Sequence, residues 1–122
     1  MEIGIDIVDI ERFKAAVEKN KKFKARIFSE KEIKYCRSKK NGIENMAGRF
    51  AAKEAVYKAV NKVVGAIALK DIEILSGSGA PVLSPVCLLG QKLGKKGLEC
   101  RLSISHNRSH AVASALLYME GR

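Results

Sequence analysis

A chain of 122 residues has the length of one domain and the material for one core, burying about two-thirds of the surface its unfolded form would expose. Its longest apolar runs, VVGAIAL and ASALLYM, fall well short of the roughly 20 residues a membrane-spanning helix needs, and residues 1 to 8 show neither a basic leader nor a cleavage site, so a soluble protein without a membrane partner is expected. Lys and Arg outnumber Asp and Glu 23 to 13, and the resulting charge of +10 draws polyanions or acidic surfaces without saying which. Cys36, Cys87 and Cys100 are odd in number, widely spaced and free of any C-x-x-C, which argues against a disulfide framework and a zinc site and for a reducing, cytoplasmic location.

Residues 2 to 8, EIGIDIV, set Ile3, Ile5 and Ile7 on one face and Gly4, Asp6 and Val8 on the other, the pattern of a strand with Asp6 pointing away from the isoleucines. Ile10, Phe13 and Val17 then recur at helical spacing behind Asp9, the expected N-cap. From Arg12 to Arg26 seven basic residues (Arg12, Lys14, Lys19, Lys21, Lys22, Lys24 and Arg26) face the single acid Glu18. Ser29 with Glu32 forms a capping box, bracketed by a Phe28 and Ile33 staple, and starts a short second helix. A third helix is predicted over residues 45 to 63 with Asn45 as its cap. An alternating strand, LKDIEIL, a Gly-rich turn, SGSGAP, and a helix whose start is signalled by Ser84 and Pro85 come next. The chain closes with two strands, LECRLSIS and HAVASALLYM, joined into a hairpin by the turn HNRS. With no repeat, low-complexity tract or linker to divide it, the chain is expected to form one α+β domain over 1–122.

The third helix carries the chemistry that needs explaining. Met46, Phe50, Tyr57, Val60 and Val64 form a large apolar stripe, and Ala47, Ala51, Ala55 and Ala59 form a row of small residues that lets another element or a ligand come close to the backbone. Glu54 and Lys58 lie near that row. An ordinary i, i+4 pair between them is worth roughly 0.2 to 0.5 kcal/mol, whereas a mostly enclosed Glu54 calls for a cation or a phosphate system beside it. Lys53 has length enough to reach solvent past the apolar stripe. Asp6, disfavoured in mid-strand, either faces water or binds something; with Glu54 it would make a hard-oxygen site of the kind Mg²⁺ uses. In SISHNRSHAVA, His106 ends one strand and His110 begins the next at a polar hairpin tip, where Arg108 and its neighbours would suit phosphate oxygens. SGSGAP lacks the Lys and the spacing of a phosphate loop and reads as a turn.

Taken together, GIDIVDI at 4 to 10, AGRFAAKEAVYKA at 47 to 59, GAPVL at 79 to 83 and LSISHNRSHAVASAL at 102 to 116 resemble the bacterial holo-acyl-carrier-protein synthases, the small 4′-phosphopantetheinyl transferases. The pair G-I-D and F-x-x-K-E-x-x-x-K, in that order and at that separation, is the specific part. The resemblance implies a compact α+β fold, a mixed or antiparallel sheet with packed helices, assembled as a homotrimer with its sites between subunits, a packing that the Ala-rich faces would suit. It implies Mg²⁺ bound by Asp6 and Glu54 together with the pyrophosphate of coenzyme A. It implies Lys58 at the phosphates and leaving group, Arg49 or Lys53 binding CoA or holding the site's shape, and His106 near the nucleotide phosphates. Asn107 stands where the family often has Ser or Thr, so a hydroxyl contact is absent or altered.

The implied reaction moves 4′-phosphopantetheine from CoA to a serine hydroxyl of an acyl carrier protein and releases adenosine 3′,5′-bisphosphate, in support of fatty acid biosynthesis. The proton acceptor is left between a metal-bound water and a carboxylate such as Glu54 or Asp6. The acidic carrier protein would meet the basic first-helix segment, Arg12 and Lys14 foremost. A small nucleic-acid-binding module, the rival that the charge raises, is opposed by the scarcity of aromatics for base stacking and by two carboxylates where a phosphate backbone would be repelled.

Overall fold

The structure is a computed structural model that describes residues 1–77 and 79–121. The first strand, β1, spans Glu2–Asp9, and Asp9 then caps helix α1 (Ile10–Lys19) by accepting a hydrogen bond from the Arg12 amide at 3.1 Å. The basic stretch continues through a short helix α2 (Phe23–Ile27). Helix α3 (Glu30–Arg37) opens with the expected capping box: Ser29 Oγ accepts from the Glu32 amide and Glu32 Oε1 from the Ser29 amide.

Helix α4 (Gly42–Val64) is the axis of the molecule. It begins three residues before the expected start. Asn45 is not its cap; its side-chain amide donates instead to the Asn41 carbonyl and side-chain oxygen, both at 3.0 Å, inside the first turn. The small-residue row predicted here is fully buried, Ala47, Ala51 and Ala55 at 0% exposure and Ala59 at 1%, because the sheet lies on it. That packing consumes the alanines within one chain, so they are no face for a second subunit.

The sheet has the order β1-β5-β4, with β4 at Leu98–His106 and β5 at His110–Met119, and both pairings are antiparallel. Ala111, Ala113, Ala115 and Leu117 of β5 are buried toward the helix, as are Gly4 and Val8 of β1. Small side chains on both partners let the helix and sheet approach closely. The isoleucines alternate to the other side and are exposed: Ile3 71%, Ile5 62%, Ile7 64%. Register puts Val112, Ser114 and Leu116 of β5 beside them.

Between α4 and β4 the chain departs from its pattern. LKDIEIL is a strand only at its end: Leu69–Asp71 is a 3₁₀ turn, and β2 covers Ile74–Ser76, paired with β3 (Pro81–Leu83). The Leu69 carbonyl closes that turn by accepting from the Ile72 amide at 3.1 Å, and the Lys53 ammonium holds it in place by bonding the carbonyls of Leu69 at 3.0 Å and Ile72 at 2.6 Å. Helix α5 (Leu88–Lys95) starts at Cys87, whose sulfur accepts from the Gly90 amide; Ser84, the expected start signal, is buried in the turn before it and accepts from the Val86 amide. A cluster of Phe13, Phe23, Phe28 and Phe50, with ring centroids 5.4 to 6.3 Å apart, ties α1, α2 and the start of α3 to the flank of α4.

Candidate active site

Asp6, Glu54 and Lys58 meet where β1 crosses α4. Lys58 Nζ lies 3.1 Å from Asp6 Oδ1 and 3.0 Å from the Ile5 carbonyl oxygen. Lys58 therefore crosses to the strand and forms no close ion pair with Glu54 one turn away; the simple intrahelical pair is not what these residues make. β1 is an edge strand, so its outer carbonyls have no ladder partner, and Lys58 satisfies one of them. Burial, and next the charge of Asp6, push the Glu54 carboxyl above its ordinary value, while Lys58 pulls the other way. Of the two carboxylates Lys58 bonds Asp6 alone, and together they keep an excess of negative charge. That excess fits a hard divalent cation, which takes one or two carboxylates and leaves its remaining positions to water and substrate phosphates. Among the described residues no third His, Cys, Asp or Glu joins them in a cluster.

Lys53 does not reach solvent. It is 0% exposed, with Nζ 2.7 Å from Glu32 Oε1 and bonded to the Leu69 and Ile72 carbonyls, so all three of its donors are used inside the protein. Burial holds its pKa below the ordinary lysine value against the opposing pull of Glu32. Glu32 is equally enclosed: Oε1 also accepts the Ser29 amide, and Oε2 accepts the Ile74 amide at 2.8 Å. Of the two expectations for Lys53, contact with CoA is therefore corrected by the geometry. What is left is support of the surrounding loop. A long lysine stem snorkels only where its end can find water; here carbonyls and a carboxylate replace the water.

Arg49 and His106 share a cleft of about 360 Å³, lined also by Tyr35, Asn45, Ser76, Gly77 and Pro81. Arg49 is 6% exposed; its Nη2 donates to Ser76 Oγ at 2.6 Å, its guanidinium lies 4.3 Å from the centre of the Tyr35 ring, and its Nε has no partner among the described residues. The Tyr35 hydroxyl is pulled below its ordinary pKa first by Ser76 beside it, and then by Lys39 and Arg49 against the effect of burial. Arg49 gives the cleft a cation that suits an anionic ligand, set against the Glu44 carboxylate that also lines it. His106 is exposed at the end of β4. Asn107 spends its side-chain oxygen on the turn, accepting from the Ser109 amide and hydroxyl and from the His110 amide at 2.8, 3.1 and 2.9 Å. Its acceptor is thereby committed to holding the hairpin tip.

Arg12 and Lys14 are exposed on α1, away from the core side that buries Ile10 and Phe13. Tyr35 is a cleft residue that sequence reading passed over, and the Gly-rich turn with Ser76 was legible there only as a turn. Glu32 was visible only as a local capping residue, since nothing in the spacing of residues 32, 53 and 74 announces a contact among three elements.

Two carboxylates and an ammonium where α4 meets β1, together with Arg49 held in a cleft that β4 borders, are groups suited to a phosphorylated ligand. The chain belongs to the 4′-phosphopantetheinyl transferase superfamily, whose family model it matches over residues 2–114, and it is a transferase. It is 43% identical to a holo-[acyl-carrier-protein] synthase of Clostridium perfringens, over 94% of this chain and 91% of that protein, and 41% identical to one of Chlorobium phaeovibrioides, over 100% and 98%. Among solved structures it resembles the Helicobacter pylori holo-[acyl-carrier-protein] synthase in complex with coenzyme A, at a TM-score of 0.77 and 32% identity, covering 95% of this chain and 99% of that one. The Neisseria meningitidis enzyme matches at a TM-score of 0.84 and 28% identity, over 96% and 97%.

Proposed function

We propose that this chain is a holo-[acyl-carrier-protein] synthase, acting as one 4′-phosphopantetheinyl transferase domain over residues 1–122. It transfers 4′-phosphopantetheine from coenzyme A to a serine hydroxyl of apo acyl carrier protein. The serine hydroxyl gives its proton to water or to a carboxylate such as Glu54 or Asp6 as its oxygen attacks the phosphorus that carries the pantetheine arm, the bond from that phosphorus to the bridging oxygen breaks, and adenosine 3′,5′-bisphosphate departs. The observation that carries the reading is the meeting of Asp6, Glu54 and Lys58 in a chain of this family.

Asp6 and Glu54 would hold Mg²⁺, and their unbalanced charge supports that assignment. When bound, the ion supplies charge neutralisation at the phosphates. Lys58, half exposed and with two donors engaged by Asp6 and Ile5, has a third to offer the departing phosphate. Arg49 and His106 hold the nucleotide end of CoA in their shared cleft. Arg12 and Lys14 meet the acidic carrier protein.

Three copies would assemble through the exposed isoleucine face, an apolar surface on Ile3, Ile5 and Ile7 continued by Val112 and Leu116, with the CoA sites between subunits. A cytoplasmic location and a part in fatty acid biosynthesis complete the reading; the three free cysteines suit a reducing compartment. Incubating the protein with apo carrier protein, CoA and Mg²⁺ should add one phosphopantetheine arm to the carrier by mass spectrometry. A carrier left unmodified under those conditions rules the activity out.

A further inference from the structure

Arg49 stands out among the side chains of the cleft because it is nearly buried and yet not saturated. A guanidinium has five N–H donors and a long flexible stem, and an unrestrained one on a helix would spread over many rotamers. Here two contacts from outside α4 fix it: the 2.6 Å hydrogen bond from Nη2 to Ser76 Oγ on β2, and the Tyr35 ring of α3 at 4.3 Å from Cζ. Ser76 is in turn held from behind. Two residues before it, the Ile74 amide is anchored by Glu32 Oε2 at 2.8 Å, Glu32 is locked by Lys53, and Lys53 also grips the Leu69 and Ile72 carbonyls that lead into β2. The chain of contacts runs from a buried ion pair through a short strand to a hydroxyl, and from there to the guanidinium of Arg49, which lines the cleft.

We infer that Ser76 and Tyr35 are positioning residues for CoA binding, which clamp the Arg49 guanidinium from two sides and hold it fixed where it lines the cleft. This rests on the reading of Arg49 as a CoA contact given above. Neither residue need touch CoA. The clamp reduces the freedom that Arg49 would otherwise lose when ligand binds, so its removal weakens CoA binding without altering the transfer step.

The test is a cycle of steady-state kinetics with varied CoA and saturating apo carrier protein, using Ser76→Ala, Arg49→Met and the double variant, together with Tyr35→Ala and Tyr35→Phe. Ser76 is exposed, so its alanine variant should fold normally, which circular dichroism checks. Loss of a hydrogen bond to a charged group should raise KM for CoA about five-fold or more in Ser76→Ala, with kcat within about two-fold of the parent. Arg49→Met should raise KM further, and adding Ser76→Ala to it should change little, because a clamp has no effect once its guest is gone. Tyr35→Ala should behave like Ser76→Ala, and Tyr35→Phe, which keeps the ring, should restore most of the affinity.

A Ser76→Ala effect that multiplies undiminished on the Arg49→Met background would overturn the inference, as would an unchanged KM in Ser76→Ala while Arg49→Met is impaired. If Arg49→Met itself leaves KM untouched, the assignment of Arg49 to CoA fails first and takes the clamp with it. The single variants separate these outcomes.

Discussion

The carbonyl oxygen of Ala55 occupies the space where a side chain on Gly4 would begin: a Cβ built on Gly4 stands 1.9 Å from that oxygen and 2.9 Å from the Ala59 nitrogen. The neighbouring groups are helix backbone and have no rotamer to escape into. Gly4 therefore sets how closely β1 lies on α4, and with it the position of Asp6 two residues on, which reaches Lys58 at 3.1 Å. Gly4→Ala should destabilise the fold by about 1–3 kcal/mol or more through overpacking. It should also lower transfer in the protein that remains folded. Urea denaturation and kcat on the same preparation check both effects; a variant with unchanged midpoint would show that the strand can lift off the helix without loss.

Lys53 and Glu32 form a satisfied buried pair, so removing either partner strands a charge. Lys53→Met or Glu32→Gln should each cost about 3–5 kcal/mol in equilibrium unfolding. The double replacement Lys53→Met with Glu32→Leu should cost less than the sum of its parts, because it leaves no lone charge behind. Additive losses would mean that the two side chains act separately. A Lys53→Met variant of parental stability but poor CoA affinity would restore the ligand role that its burial argues against.

The raised pKa of Glu54 has a definite sign. In the folded protein this carboxyl keeps its proton after the unfolded chain, at the ordinary value of 4.5, has lost it. The group therefore favours the fold below 4.5, and that contribution disappears as pH rises through the folded value. In metal-free protein the upward shift of Glu54 therefore counts against stability at neutral pH. Glu54→Gln should accordingly raise Tm at pH 7 and lose that advantage in acid. Thermal unfolding across this range, in the presence of a chelator, measures it, and a Tm that falls at pH 7 would contradict the electrostatic account.

Arg12 and Lys14 are solvated and distant from the core, so reversing their charge should leave stability within about 0.5 kcal/mol. Arg12→Glu with Lys14→Glu should raise KM for the carrier protein about ten-fold while sparing KM for CoA, and should flatten the dependence of the rate on salt. Equal losses for both substrates would assign the basic helix to something other than carrier docking.

The parts of this protein that were legible in advance are those written in local sequence. β1, the Asp9 cap, the Ser29–Glu32 capping box and the closing hairpin each declare themselves within a few residues, and the order of GID and KEAVYK singled out Asp6, Glu54 and Lys58. The row of alanines on α4 announced a close approach, and β1 makes it. What was misread depends on contacts distant in sequence. LKDIEIL has the alternation of a strand, yet its first residues close a turn that Lys53, sixteen residues before Leu69, holds by two carbonyls. Lys53 looked like a surface cation because no spacing rule connects it to Glu32. Asn45 looked like a cap because the Gly at the true first helical position, Gly42, carries no helical pattern of its own. The cleft was invisible for the same reason, being assembled from α3, α4, β4 and the Gly-rich turn.

Divalent-ion dependence of transfer in Asp6→Asn and Glu54→Gln tests the central claim most directly. Both substitutions keep size and one acceptor oxygen while removing charge. Titrating Mg²⁺ into each variant with CoA and apo carrier protein should show transfer reduced about a hundredfold or more, with the fold intact by circular dichroism and Mg²⁺ affinity in the presence of CoA lost by calorimetry. Either variant turning over at the parental rate, with the parental Mg²⁺ requirement, would contradict the account.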